Sequence, residues 1–403
     1  MSDEIESFKQ PRGLRIATTL FLVIWTIIAV FPFLWIALMS IKSPVDAFSA
    51  NPLRVIVGPA TAAAGGGVSP LALFVLAGLG YAGFRLWRRR GAELVSRAMG
   101  DGDDKLRGGL LITAAIFAGL ATLALLPWAL SALSGLGSAL HLPAILIDPV
   151  IGATGQHYRT VWITDGFHKQ FVNSMVITLG VVTVSLTLGT PAAYAFARTP
   201  SRLALGLLVV ALIFRSMPHS VLVAGYLPAF INSREFLTPL WTSPTWGPFF
   251  HLFSDAAPTL YGKPWAVIAV LVAINQPFTI WLLRSFFLSV PKDLDEAAKV
   301  DGCSDFGAFR RIIMPVMWPG VITTGLFSFL LAYNDYLVTA LLLDAASQTM
   351  VPTISQYINS ENNLTDQLRA IAAAVSVTAP LFLLVLVFQR QLVSGMTAGA
   401  VKG

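Results

Sequence analysis

The sequence predicts an all-α, polytopic membrane protein with about eight transmembrane helices. Three observations carry that expectation. The chain is 55% apolar and only 12% charged, its apolar residues gather into stretches long enough to cross a bilayer, and its basic residues fall in short clusters between those stretches. A mean hydropathy of +0.71 over 403 residues leaves too little polar surface to cover a soluble fold. The net charge of +6 and pI near 9.5 form no single basic face, so nucleic acid is not an expected partner. Cys303 is the one cysteine, which excludes an intrachain disulfide. The histidines lack ligand spacing, so no metal site is expected.

The expected spans are 16–39, 70–87, 109–133, 174–197, 203–227, 264–287, 319–343 and 370–388. The first is longer than a signal-peptide core, and no A-x-A cleavage site follows it, so it reads as an uncleaved span. Lys9, Arg12 and Arg15 precede it; Arg88, Arg89 and Arg90 follow the second span, and Lys292, Lys299, Arg310 and Arg311 follow the sixth. Retention of positive loops in the cytoplasm puts these clusters, and both termini, inside. Residues 52–67 and 134–155 are linkers containing Gly and Pro, and between them two spans flank an Arg-rich loop. The chain therefore divides into an N-terminal segment with the first span (1–51), an inserted two-span hairpin with its linkers (52–155), and a core (156–403). The core carries a cytoplasmic loop at 291–315 and a tail at 391–403. An even number of inserted spans leaves the downstream orientation unchanged.

The loop at 291–315 has a distinctive spacing: Glu296-Ala297-Ala298, three residues, Gly302, nine residues, Ile312, one residue, then Met314-Pro315. Glu and Ala favour a short helix, and Gly302 ends it, because glycine enters the left-handed conformation without strain. Ser304 and Asp305 can cap a second helix bearing Phe306, Phe309 and Ile312 as an apolar stripe, and Pro315 is expected to stop it before the next span. This helix-turn-helix could lie on the lipid headgroups or fill a groove on a soluble partner.

The spacing resembles the EAA loop of ABC import permeases, with Met314 where leucine is usual. Further segments are similar to the maltose-type (MalG-like) carbohydrate permeases: Phe171-Val-Asn-Ser-Met, Pro191-Ala-Ala-Tyr-Ala-Phe-Ala-Arg198, Gln276 to Phe287, Tyr333-Asn-Asp-Tyr336, Ser40-Ile-Lys-Ser-Pro44 and the Gly395 to Gly403 tail. The inserted hairpin and the long segment 232–262 depart from the six-span family pattern, and an enlargement here resembles the alpha-glucoside importers. The resemblance implies a six-helix type I ABC importer core plus the hairpin. It implies a permease that carries a carbohydrate, such as an oligosaccharide or alpha-glucoside, across the bacterial inner membrane. Implied partners are a second homologous permease, two ATP-binding-cassette ATPase subunits and a periplasmic sugar-binding protein, within the lipid bilayer. The chain has no G-x-x-x-x-G-K-[ST] phosphate loop, so ATP and Mg are expected on the ATPase subunits and no cofactor on this chain. An import permease for a non-sugar solute is the alternative; a secondary transporter would place more ionisable groups among its spans, and no enzyme motif is present.

The resemblance also assigns residues. Glu296, Ala297, Ala298, Gly302, Phe306, Phe309, Ile312 and Pro315 would couple to the ATPase; otherwise Glu296 is a solvated helix charge. Gly395, Thr397, Gly399 and Lys402 would reach between the ATPase subunits, or fray, since the tail has little apolar mass to fold alone. The loop 344–366, with its polar run at 360–363, would meet the binding protein or be an ordinary solvated loop. Arg215 and Asp335 lie within apolar spans and would form an ion pair, or Asn334, Asp335 and Tyr336 would line the translocation path. Pro218 is expected to break the fifth span and give it a hinge.

Overall fold

The structure is a computed structural model that describes residues 12–64, 67–78, 148–199, 201–217, 219–252, 254–359 and 363–400, with a few isolated positions between 81 and 143. The third expected span, most of the Arg-rich loop, Pro218, residues 360–362 and Lys402 lie outside the described residues. The chain forms two compact units, Met1–Thr164 with Glu361–Val375, and Asp165–Ser360 with Ser376–Gly403.

In the first unit, α1 (Arg12–Met39) runs through Pro32. None of its apolar stretch Ile16–Met39 is buried, as suits a helix surrounded by lipid or by another membrane subunit. The chain beyond Met39 is tied down by polar side chains. Lys42 is fully buried, and its ammonium donates to the carbonyls of Ile56 (2.9 Å) and Gly152. The His157 ring nitrogen Nε2 donates in turn to the Lys42 carbonyl at 2.9 Å. Burial would raise the Asp46 carboxyl, but hydrogen bonds from the Thr61 hydroxyl (2.7 Å), Thr61 N–H (2.7 Å) and Ala60 N–H (3.2 Å) outweigh it and hold the pKa below its usual value.

These contacts gather both ends of the inserted segment. Short helices Pro52–Val57 and Pro59–Ala63 meet at Gly58, whose φ of +71° caps one and opens the other. A Cβ there would come within 2.9 Å of both the Lys42 ammonium and the Gly152 carbonyl, so glycine is required twice over. Gly67–Val68 then pairs antiparallel with Ile151–Gly152. Lys42, a charge just beyond the first span, is the central buried donor of this arrangement.

The second unit is built on α2 (His168–Arg198), α3 (Arg202–Arg215), α4 (His219–Ile231), α5 (Pro264–Ser289), α6 (Asp293–Val300) and α7 (Met314–Tyr333), with the later part of α8 (Leu364–Ala400). Helices α2 and α5 approach closely because Gly180 faces Ile268 and Gly189 faces Thr279; added Cβ atoms would meet those side chains at 2.6 and 2.9 Å. One apolar cluster includes Ile177, Val181, Val223, Leu271 and Leu342. The other, which includes Ala193, Leu283, Phe287, Ile313, Met317 and Val321, lies beneath the 291–315 loop.

Four described helices are long and apolar enough to cross a membrane: Ile16–Met39, His168–Arg198, Pro264–Ser289 and Asp305–Tyr333. The fifth expected span is two helices, α3 and α4, broken between Arg215 and His219. The seventh ends at Tyr333 rather than at 343, and the separate helix Leu337–Leu342 follows. Its beginning is also displaced, because Pro315 does not stop the preceding helix. A π-turn over Phe309–Ile313 carries the chain from Asp305–Ala308 into α7, and Pro315 falls in the first turn of the resumed α-helix. There its missing N–H breaks no regular bond.

The tail is likewise helical through Ala400, within the 37 residues of α8. A Gly- and Ala-rich stretch too weak to nucleate a helix can extend one that already exists. The long segment 232–262 is folded too: the Trp241 ring stacks on Phe250 at 4.6 Å and its N–H donates to the Ser254 carbonyl at 3.0 Å.

Burial, then the charge of Arg369, holds the His157 imidazole below its ordinary pKa. The unfolded chain therefore binds the extra proton more readily, and stability is lost as pH falls below about 6.5. The unfolding temperature of the purified protein in lipid nanodiscs should drop on acidification from about pH 7.5 to about 5.5. His157→Gln should flatten that dependence, as read by scanning calorimetry.

Candidate coupling site

Helix α6 begins just after α5 ends, and three acidic residues, Asp293, Asp295 and Glu296, occupy its first turn, where the helix dipole favours negative charge. Asp295 and Ala298 face inward, whereas Glu296 and Ala297 are exposed. Asp301 closes the helix, and Gly302 turns the chain at φ +84° with open space around it. The Ser304 hydroxyl then accepts from the Gly307 N–H at 3.2 Å and starts the helix Asp305–Ala308. Lys299 and Asp305 meet across the turn at 2.7 Å, and the Asp305 carboxylate holds the Lys299 amine above its ordinary pKa. Both side chains are exposed, so screening keeps the contribution of this pair to stability small.

The stripe read from the sequence divides. Phe309 packs on Tyr194 with ring centroids 4.9 Å apart, and Ile312 leans on the same apolar cluster. Phe306 is 69% exposed and Val300 88%. With Leu294 and Ala297, they make an outward apolar surface edged by Glu296.

What holds the segment in place escaped the sequence reading. Arg198, in the last turn of α2, meets the Asp295 carboxylate at 2.8 Å, with 14% and 12% of the two side chains exposed. Its other terminal nitrogen donates to the carbonyls of Phe287 (3.2 Å) and Val290 (3.3 Å), at the C-terminal end of α5. The Tyr194 hydroxyl donates to the second Asp295 oxygen. One guanidinium thus joins the ends of α2 and α5 to the start of α6. By sequence, Arg198 stands only at the end of a segment similar to the maltose-type permeases, and Asp295 only within the 291–315 loop. The available clue was the placement of each at a helix end.

The other candidate residues gather less completely. Arg215 and Asp335 line one cavity of about 40 Å³ together with Asn275, Val181 and Leu271. Arg215 donates to Asn275 Oδ1 at 3.4 Å and lies over the Phe278 ring at 4.8 Å. Asp335 accepts from the Thr339 N–H at 3.0 Å and so caps the helix that follows. The Asn334 amide turns back to the Leu330 carbonyl, and Tyr336 is 45% exposed. In the loop 344–366, the Asn173 amide donates to the carbonyls of Ala346 and Gln348, and Ser174 accepts from the Met350 N–H at 3.0 Å. Gly395, Thr397 and Gly399 lie on the last turns of α8.

Residues 185–398 match a family model described as binding-protein-dependent transport system inner membrane component. That match runs from the middle of α2 almost to the end of α8 and takes in Tyr194, Arg198 and the whole 291–315 segment. The chain belongs to this family. It is therefore a transport component of the inner membrane, and its described apolar helices are of spanning length. This permease is 31% identical over 252 residues to the diacetylchitobiose uptake system permease protein DasC of Streptomyces coelicolor, covering 62% of this chain and 81% of the relative. It is 30% identical over 254 residues to the trehalose transport system permease protein SugB of Mycobacterium tuberculosis, covering 62% and 82%. A solved bacterial ABC transporter involved in alginate import aligns with a TM-score of 0.42 at 20% identity, over 72% of this chain and 98% of that one.

Asp295→Ala leaves the Arg198 charge buried without its partner and should destabilise the permease by about 3 kcal/mol. Asp295→Asn, which can still accept from Tyr194, should cost less. Thermal unfolding, together with faster proteolysis within 291–315, checks both. Gly302→Ala meets no steric obstacle but must hold a left-handed residue, a cost of about 1 kcal/mol in the same assay.

Proposed function

We propose that this permease carries a carbohydrate across the bacterial inner membrane as one subunit of an ATP-driven importer. It would work with a second homologous permease, two ATP-binding-cassette ATPase subunits and a periplasmic sugar-binding protein, both of its own termini lying in the cytoplasm. ATP and Mg belong to the ATPase subunits. The observation that carries the reading is the coupling segment: Asp295 and Ala298 fasten it to the spans, while Leu294, Glu296, Ala297, Val300 and Phe306 face outward. A small apolar knob with an acidic edge, fixed to two membrane helices, suits docking into a cleft of a soluble partner and transmitting its movement. The relatives named for diacetylchitobiose and trehalose support carbohydrate as the cargo class, and one named for alpha-glucosides matches at 28% identity over 62% of this chain.

Under this reading, residues 391–403 reach the ATPase pair and the loop 344–366 faces the binding protein. In the complex reconstituted in proteoliposomes, sugar uptake should require the ATPase and stop with vanadate. Glu296→Lys should leave the complex inserted but abolish most coupled uptake, and Gly302→Pro should do the same. Full uptake by the Gly302→Pro variant, or uptake by the isolated permease on an ion gradient, would refute the proposal.

A further inference from the structure

The fifth span is broken, and its break carries a charge. Helix α3 ends at Arg215, with Ser216 bonded back to the Leu212 carbonyl, and α4 starts at His219. A cation in the last turn suits the negative end of α3, but the apolar surroundings give it few partners. Among the described residues the guanidinium has two, both on α5: the Asn275 Oδ1 and the Phe278 ring face. Asn275 is itself buried, and its amide donates to the Ser328 hydroxyl of α7 at 2.8 Å. Thr279, one turn along α5, lies 3.3 Å from the same hydroxyl. A continuous polar chain therefore runs from the break in the fifth span, across α5, to α7.

The cavity beside this chain holds about 40 Å³, room for a water molecule and far below the roughly 300 Å³ or more of small-molecule sites. Its walls are mostly apolar, and of its polar groups Arg215 is bonded to Asn275.

We propose that Arg215 is a positioning residue of the transport cycle: through Asn275 and Ser328 it latches the broken fifth span to α5 and α7. Alternating access moves groups of helices relative to one another, and a break in a span is a place where such a movement can hinge. The latch favours the arrangement in which they are fastened, so hydrolysis of ATP waits for a signal that overcomes it. The proposal rests on the permease acting in an ATP-driven importer. The contact itself does not.

The test uses the assembled complex, without binding protein or sugar, and measures MgATP hydrolysis. Arg215→Ala and Asn275→Ala should each raise this unstimulated rate on the order of fivefold, and the double variant no further, because both break one chain. Arg215→Lys keeps a cation over Phe278 and should restore much of the restraint; Arg215→Gln serves if the alanine variant fails to assemble. Rates that multiply in the double variant, or an unchanged rate in an assembled Arg215→Ala complex, would overturn the latch. If the wild-type complex hydrolyses no ATP even when binding protein and sugar are added, the importer reading fails instead. The same cycle of variants, followed by thermal unfolding of the complex, then decides the contact: non-additive losses support it, and additive losses refute it.

Discussion

The 291–315 segment depends on one guanidinium. Arg198 sits where α2 and α5 end and α6 begins, and it satisfies the Phe287 and Val290 carbonyls while it neutralises Asp295. Terminal carbonyls are left over wherever a helix stops, and a carboxylate is costly wherever water is scarce. Each of these unfavourable groups is answered by the same side chain. The aromatic cluster of Tyr194, Phe287 and Phe309 closes over the pair, with centroids 4.9 to 6.5 Å apart. The loop is consequently a rigid extension of the helix bundle.

Rigidity continues on the far side of the loop. Because the π-turn carries Asp305–Ala308 into α7 without interruption, the second half of the segment is the cytoplasm-facing end of a span in the proposed orientation. A push on Phe306 reaches α7 along a helix, whereas a push on α6 reaches α2 through an ion pair. Two mechanically different routes thus lead from one small surface into the membrane.

The inserted segment meets the rest of its unit through another buried cation. Lys42 holds the carbonyls at both ends of the insertion, Ile56 on one side and Gly152 on the other, and His157 fixes the Lys42 backbone. Burial lowers the Lys42 pKa and Asp46 opposes it. Residues 42–61 and 151–157 are thereby tied together, and a two-residue strand pair completes the attachment.

Residues close in sequence settled much of this protein. Apolar runs marked the four described helices of spanning length, and the left-handed Gly302 and the Ser304 cap lie where their chemistry placed them. These are local properties: a helix is long and apolar, or a glycine ends it, whatever surrounds it. The tertiary structure alone decided that Asp295 pairs with Arg198, that Arg215 reaches Asn275, that Lys42 is buried, and that Phe309 turns inward while Phe306 does not. It also overruled a local expectation, since Pro315 interrupts nothing. The physical reason is the solvent. In water, an apolar face must point to the core, so periodicity reveals orientation. In lipid, the core and the surroundings are alike, and close packing at small residues such as Gly180 and Gly189, with polar partners distant in the chain, fixes which face turns where.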